Sequence, residues 1–214
     1  MSKQKNWSYS QLSGYEQCPH AHMYRKIVKL PEEPSWHLTN GNHVHKLAEN
    51  FLLGKIEKLP KELAKFRTEF DSLIKAEAVP EEAFVFNKDW KHILDGWSDP
   101  KAWLRLKLDA RIGNYLIDFK TGKEYPAHVH QGRLYANAMM MIHNDMDEVE
   151  VEFWYLSSGK VTSFTFYRDD LEKDIADWEQ KVLVMHSDST FKPRRHQYCR
   201  NCYVKHLCPD YGSK

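Results

Sequence analysis

Between residues 104 and 119 the chain alternates. Leu104, Leu106 and Leu108 are interleaved with Arg105, Lys107 and Asp109, the period of a half-buried strand. Gly113-Asn114 supplies a tight turn, and Tyr115-Leu-Ile-Asp-Phe is the returning strand. Phe84-Val-Phe reads as an edge strand, and residues 149–156 and 161–167 as a hairpin around Ser157-Ser-Gly-Lys. Elsewhere the apolar period is helical. Ser8-Tyr-Ser10 caps a helix carrying Leu12, Tyr15 and the Cys18 region, Pro19 interrupts it, and a second short helix carries Met23, Tyr24 and Ile27. Pro31 and Pro34 mark a loop. Residues 36–53 form a helix with His45, Ala48, Glu49 and Leu52 on one face. Pro60 opens another, striped by Leu63, Phe66, Phe70, Leu73 and Ile74; residues 127–143 make a long apolar helix; a last one runs from Asp169 to about His186. This order predicts an α/β fold, a mixed central sheet flanked by helices, with helical additions at both ends.

The apolar strand ends in Asp118, and Lys120 follows on the same side of the strand. Asp and Lys two apart on a strand are most often a surface ion pair of little worth. This pair follows a strongly apolar run, is closed by Thr121-Gly122, and has Asp109 on the neighbouring strand. Two carboxylates can hold a hard divalent cation, and a lysine beside them can orient a water or stabilise a phosphate under attack. Three further positions could converge here. His45 and Glu49 lie one helical turn apart, so the imidazole could complete a metal shell and the glutamate orient it or bind a second ion; on helix spacing alone a partly buried polar pair is the simpler explanation. Gln131 and Tyr135 share a face of the helix after Lys120, where an amphipathic helix with a boundary tyrosine is the plainer reading. Arg133 reads as a solvent or phosphate contact.

Composition narrows the setting. The 214 residues are 42% hydrophobic and 29% charged, enough for one sizeable core. No apolar run is long enough to span a bilayer, and Met-Ser-Lys-Gln-Lys-Asn lacks the apolar stretch of a secretory signal, so a cytoplasmic protein is expected. A net charge of +1 permits a nucleic-acid groove only as a local patch. Aromatic residues make up 13% of the chain, and some could stack on unpaired bases. The four cysteines are laid out as Cys18 and, near the other end, Cys199-x2-Cys202-x5-Cys208-Pro209. Structural disulfides do not suit an intracellular chain. Four thiolates suit zinc or an iron–sulfur cluster; the one-plus-three layout and Pro209 favour a [4Fe–4S] cluster. His196 and His206 are alternative ligands, more simply solvated loop residues. Either metal would clasp the two ends, and a cross-link over so long a loop stabilises by about 5 kcal/mol.

Taken in order, these segments resemble the RecB-type branch of the PD-(D/E)XK nuclease superfamily, in particular its iron–sulfur members, including the CRISPR-associated RecB-like and AddB-type nucleases. The resemblance runs over nearly the whole chain: Ser8-x-Ser10-x-Leu12-x2-Tyr15-x2-Cys18-Pro19, Gly41-x3-His45-x3-Glu49, Asp109, Asp118-Phe119-Lys120-Thr-Gly, Gln131-x3-Tyr135 and Cys199, Cys202 and Cys208. It departs at Leu108, where the family places proline before its first acid. It implies a restriction-endonuclease-like fold in a single domain over 1–214, with N-terminal helices (1–60), a nuclease core (80–190) and a cluster-binding C-terminal cysteine knuckle (191–214). It implies a magnesium- or manganese-dependent deoxyribonuclease, an exonuclease, in DNA replication, recombination or repair. Its substrate would be DNA with a single-stranded end or segment. His45, Asp109, Asp118 and the Phe119 carbonyl would hold the ion, Lys120 would serve the attacking water, and Gln131 and Tyr135 would complete the site. The four cysteines would bind the cluster. The type is often carried by phages, and a homo-oligomer or a recombination or replication partner is compatible with it. The rival function is a non-catalytic or redox-responsive iron–sulfur DNA-binding protein.

Overall fold

The computed structural model describes residues 6–33 and 35–211. The leader reading at residues 1–5, the loop mark at Pro34 and the last three residues of the 191–214 segment lie outside the described residues.

Helix α1 spans Tyr9–Gln17, with the Ser8 side chain accepting from the Gln11 N–H at its start. Helix α2, Pro19–His22, opens on a proline whose missing N–H costs nothing there, and runs on into a π-type turn, Met23–Val28, with no buried residue. Met23, Tyr24 and Ile27 are therefore not core, and the expected second helix is shorter than its sequence suggests. Helix α3, Trp36–Leu52, is capped by Ser35. The helix expected from Pro60 divides into a 3-10 turn, Lys61–Phe66, and α4, Arg67–Lys75. Ile74, expected on the apolar stripe, is exposed, while Leu63, Phe66, Phe70 and Leu73 are buried.

The sheet follows the order β1 (Val79–Phe86), β2 (Leu104–Ile112), β3 (Tyr115–Lys120), β4 (Glu148–Tyr155) and β5 (Lys160–Tyr167). Gly113 adopts φ 55° in the turn between β2 and β3, a conformation that costs glycine little. Helix α5, His128–Ile142, carries the chain over to β4, which pairs parallel to β3, while the other neighbours are antiparallel. A parallel pair needs such a crossover. Helix α6, Leu171–Ser187, closes the core.

Two apolar layers sandwich the sheet. Leu106, Leu108, Leu116, Val151 and Phe153 pack with Leu12 of α1, Leu134 and Met139 of α5 and Trp178 of α6. Ile117, Phe119 and Trp154 pack on the other face with Val44 and Ala48 of α3 and Phe70 of α4. The chain start is part of the first layer. Trp7 bridges backbone to backbone with the Trp103–Arg105 segment, and its ring meets Trp103 at 5.4 Å, Trp178 at 6.2 Å and Trp90 at 6.4 Å. No helix among the described residues is long and apolar enough to cross a membrane.

Candidate active site

The chemistry expected from the sequence sits where two strands part. β2 and β3 pair only through Ala110↔Ile117, Arg111↔Leu116 and Ile112↔Tyr115. The next residue on each side of this short ladder is an acid, Asp109 and Asp118. The fork frees the Phe119 N–H, and Asp109 takes it: the amide donates to Asp109 Oδ2 at 2.7 Å. A buried donor left open costs about 1–3 kcal/mol, so Asp109 has a structural reason to be acidic as well as a chemical one.

The other Asp109 oxygen, Oδ1, accepts from His45 Nδ1 of α3 at 2.8 Å. That bond fixes the ring and leaves Nε2 as the basic nitrogen of the neutral imidazole. Burial works against the charged imidazole, but the hydrogen bond and charge of Asp109, helped by Asp118, leave His45 above its ordinary pKa. Asp109 is also raised, chiefly by burial and then by the negative charge of Asp118, against the opposing pull of His45. The pair is an acid and an imidazole held together at the wall of a cleft, partly exposed on the imidazole side, with Asp118 close enough to bias both.

Asp118 faces the opposite layer and is 4% exposed. Its Oδ2 accepts from Gln131 Nε2 at 3.0 Å and from the Tyr135 hydroxyl at 3.1 Å, and Gln131 Nε2 also donates to the Tyr135 oxygen at 2.6 Å. Lys120 Nζ lies 2.6 Å from Asp118 Oδ1, an ion pair by distance. The ammonium also donates to Gln131 Oε1 at 2.8 Å, and its ion pair is what compensates the buried Oδ1. Burial, then the charges of Asp118 and Asp109, push the Tyr135 hydroxyl well above its ordinary pKa, so it stays a donor. Lys120 also lies over the Phe153 ring, 5.3 Å from its centre.

The fork thus carries two half-sites, His45–Asp109 toward α3 and Asp118–Lys120–Gln131–Tyr135 toward α5. Each is satisfied largely by its own members, and among the described residues no three His, Cys, Asp or Glu side chains form a ready ligand set for a metal ion. Glu49 lines the same cleft of about 560 Å³ as His45 and Asp109, but it is ion-paired to Lys46 at 2.5 Å, which holds its carboxyl low. Arg133, expected as a solvent or phosphate contact, is a strut: it donates to Asp174 at 3.0 Å and lies over the Trp178 ring. The sequence reading passed over His128. Its Nδ1 is 2.7 Å from the Tyr155 hydroxyl, and its ring stacks on Phe153. Burial, then the charge of Lys120, lowers it to about 4. Its spacing of three and seven from Gln131 and Tyr135 is the signal that could have found it.

A second constellation lies at the other end of α1. The C-terminal segment docks on α1 and α2 through Tyr203 to the Ala21 carbonyl (3.1 Å), His20 against the Leu207 carbonyl (3.2 Å) and Arg194 to the Glu16 carbonyl. This brings Cys18, Cys199, Cys202 and Cys208, all free thiols, to the lining of one cavity of about 310 Å³. Burial raises the Cys202 thiol, and the other three cysteines add to that shift. The joining metal cluster expected from the sequence is not shown: the cysteines share a cavity but are not arranged as a ligand group. His196 also lines the cavity, while His206 is exposed and does not.

A family model of the PD-(D/E)XK nuclease superfamily matches residues 6–112 and 104–209. The crystal structure of SSO0001 is similar over 98% of this chain and 88% of that one, with a TM-score of 0.52 and 15% identity, a likeness of fold alone. A comparison with curated proteins gave no match. With the family match covering most of its length, and the D-x-K segment sitting at the strand fork, the chain belongs to the PD-(D/E)XK nuclease superfamily.

Proposed function

We propose that this protein is a magnesium- or manganese-dependent deoxyribonuclease, an exonuclease acting on DNA with a single-stranded end or segment. The carrying observation is the convergence at the strand fork of Asp109, Asp118 and Lys120, with the Asp118 carboxylate buried, ion-paired to Lys120 and within reach of the Asp109 charge. Two buried carboxylates near one another repel unless a cation lies between them, and the donors at the fork are the hard oxygens and imidazole that a divalent cation prefers. The donor types therefore suit such an ion. His45 through Nε2, Asp109, Asp118 and the Phe119 carbonyl would hold it. When bound, it would acidify a water and neutralise charge on the scissile phosphate.

The chain's own residues do the rest. Gln131 holds the Lys120 ammonium by its carbonyl and steadies Asp118 by its amide, so lysine and carboxylate are fixed relative to one another. Lys120 offers its remaining N–H groups to the attacking water or a phosphate oxygen, a fixed charge of the kind that stabilises a developing anion. Tyr135, held neutral, locks the far oxygen of Asp118. Phe119 and Phe70 exclude water from beneath the fork.

We assign the second constellation to a [4Fe–4S] cluster, with zinc as the alternative occupant. Four free thiols lining one cavity, with no disulfide between them, suit either group.

Lys120→Ala and Asp118→Asn are expected to abolish metal-dependent cleavage of end-labelled DNA while circular dichroism shows an intact fold. Digestion by either variant at the wild-type rate would overturn the assignment. A wild-type protein that binds DNA and yields no product with either metal would favour the non-catalytic or redox-responsive reading.

A further inference from the structure

Two large rings near the candidate active site have no place in either core layer. Tyr125 is 45% exposed and Tyr198 is 43% exposed. They come from separate segments: Tyr125 from the loop that follows Lys120, Tyr198 from the residue just before Cys199. The two phenol groups lie close enough to raise the Tyr198 hydroxyl above its ordinary pKa, with Lys123 near enough to oppose that shift. Behind them the rings continue inward. Tyr125 packs edge-on against His128 with centroids 5.6 Å apart, His128 stacks on Phe153 at 5.4 Å, and Phe153 lies under the Lys120 ammonium. A series of ring contacts, edge-on at Tyr125 and ending in the fully buried Phe153, thus connects the exposed tyrosines to the lysine of the fork.

Exposed aromatic faces interleaved with a cation are the means by which proteins hold unpaired bases without reading sequence. A duplex keeps its base faces stacked inside and offers mainly phosphates, so it cannot use such a platform. The rings are rigid and already in place, which keeps the ordering cost of binding small. Building on the nuclease reading, we infer that Tyr125 and Tyr198, with Lys123, form a stacking platform for the unpaired bases of a single strand whose backbone runs on to Lys120. The platform spans two chain segments, one leaving the fork and one entering the cysteine cavity, so strand binding depends on both being seated.

The test is fluorescence anisotropy of a fluorescein-labelled single-stranded deoxyoligonucleotide and of a blunt duplex, both in EDTA so that no cleavage occurs. Tyr125→Ala and Tyr198→Ala are each expected to weaken single-strand binding roughly 5- to 100-fold, the usual range for one lost base stack. The phenylalanine variants should stay near wild type, and duplex affinity should not move. Single-strand binding unchanged in the alanine variants overturns the inference. So does an equal loss on the duplex, or a wild-type protein that does not hold the single strand at all. Tyr125 lies outside the cysteine segment, so its variant decides the matter even if Tyr198→Ala disturbs the fold. Cleavage by the wild type, measured separately with magnesium and manganese, keeps the two proposals apart. An uncleaved substrate counts against the nuclease reading, whereas a cleaving wild type with an indifferent Tyr125→Ala counts only against the platform.

Discussion

At the scale of single residues, two buried histidines contribute to the response to acid. His22 is 4% exposed, packs against Tyr15, and is lowered to about 4 chiefly by burial; His128 is lowered to about 4 for the same leading reason. In the unfolded chain both titrate near the ordinary value of ~6.5. As the pH falls below that value the unfolded state takes up protons that the folded state refuses. The stability present above it is lost until the folded groups titrate too. The melting temperature is therefore expected to fall between about pH 6.5 and 4, and His22→Gln should flatten that slope; a calorimetric pH series checks it, and an unchanged slope would show that the buried imidazole is not the cause. The residues at the fork were legible in the sequence because their chemistry is local: Asp118 and Lys120 share a strand side, and His45 stands one turn from Glu49. What sequence could not show is that Glu49 is drawn off by Lys46, that Asp109 is spent partly on the Phe119 amide, or that Asp174 claims Arg133. Each depends on which long-range neighbour wins a charge.

At the scale of elements, the approach of α3 to the end of β3 decides whether His45 can reach Asp109. Gly41 lies one turn before His45, and a Cβ there would stand 3.3 Å from Thr121 Oγ1, just past Lys120. A branched side chain at that point must turn Thr121 aside or shift the helix by a few tenths of an ångström. Gly41→Val should therefore lower cleavage by roughly 10-fold or more, since small misplacements of reacting groups cost on the order of 100-fold. Thermal stability should change by only a few degrees, because the buried Val44, Ala48 and Phe51 keep the helix attached. Activity and melting temperature measured on the same preparation separate the two effects, and a variant cleaving at the wild-type rate would show that the close approach does not matter. Most elements were readable from periodicity to within a residue or two, except at β1, whose polar first half, Val79-Pro-Glu-Glu, hides its start five residues before Phe84, and where a turn was concealed inside an apolar run. The break before Arg67 and the π-type turn after α2 are of that kind, since apolar spacing alone does not separate helix types.

At the scale of the whole molecule, the three-layer arrangement followed from the alternation of strand and helix signals. The layout of the cysteines led to the expectation that Cys18 meets the C-terminal three, and they do line one cavity; what the sequence did not show are the docking contacts of Tyr203 and Arg194 with the carbonyls of α1 and α2, which no local pattern encodes. If the shared cavity holds a cluster, purified protein should be brown. Cys208→Ser should then bleach it and lower the melting temperature by several degrees, since tying two distant ends restrains the unfolded chain by about 5 kcal/mol. Absorption spectra and scanning calorimetry of both proteins test this, and a colourless wild type of equal stability to the variant would dismiss the assignment.

The indole cluster around Trp7 has an optical consequence. Trp7, Trp90 and Trp103 stand at centroid spacings of 5.0–6.4 Å, near enough for their transitions to couple. The circular dichroism of those chromophores therefore reports whether the first described residues are seated against β2. Since the thiol cavity lies elsewhere, the molecule carries a built-in spectroscopic gauge of one terminus that is independent of whatever colours the other.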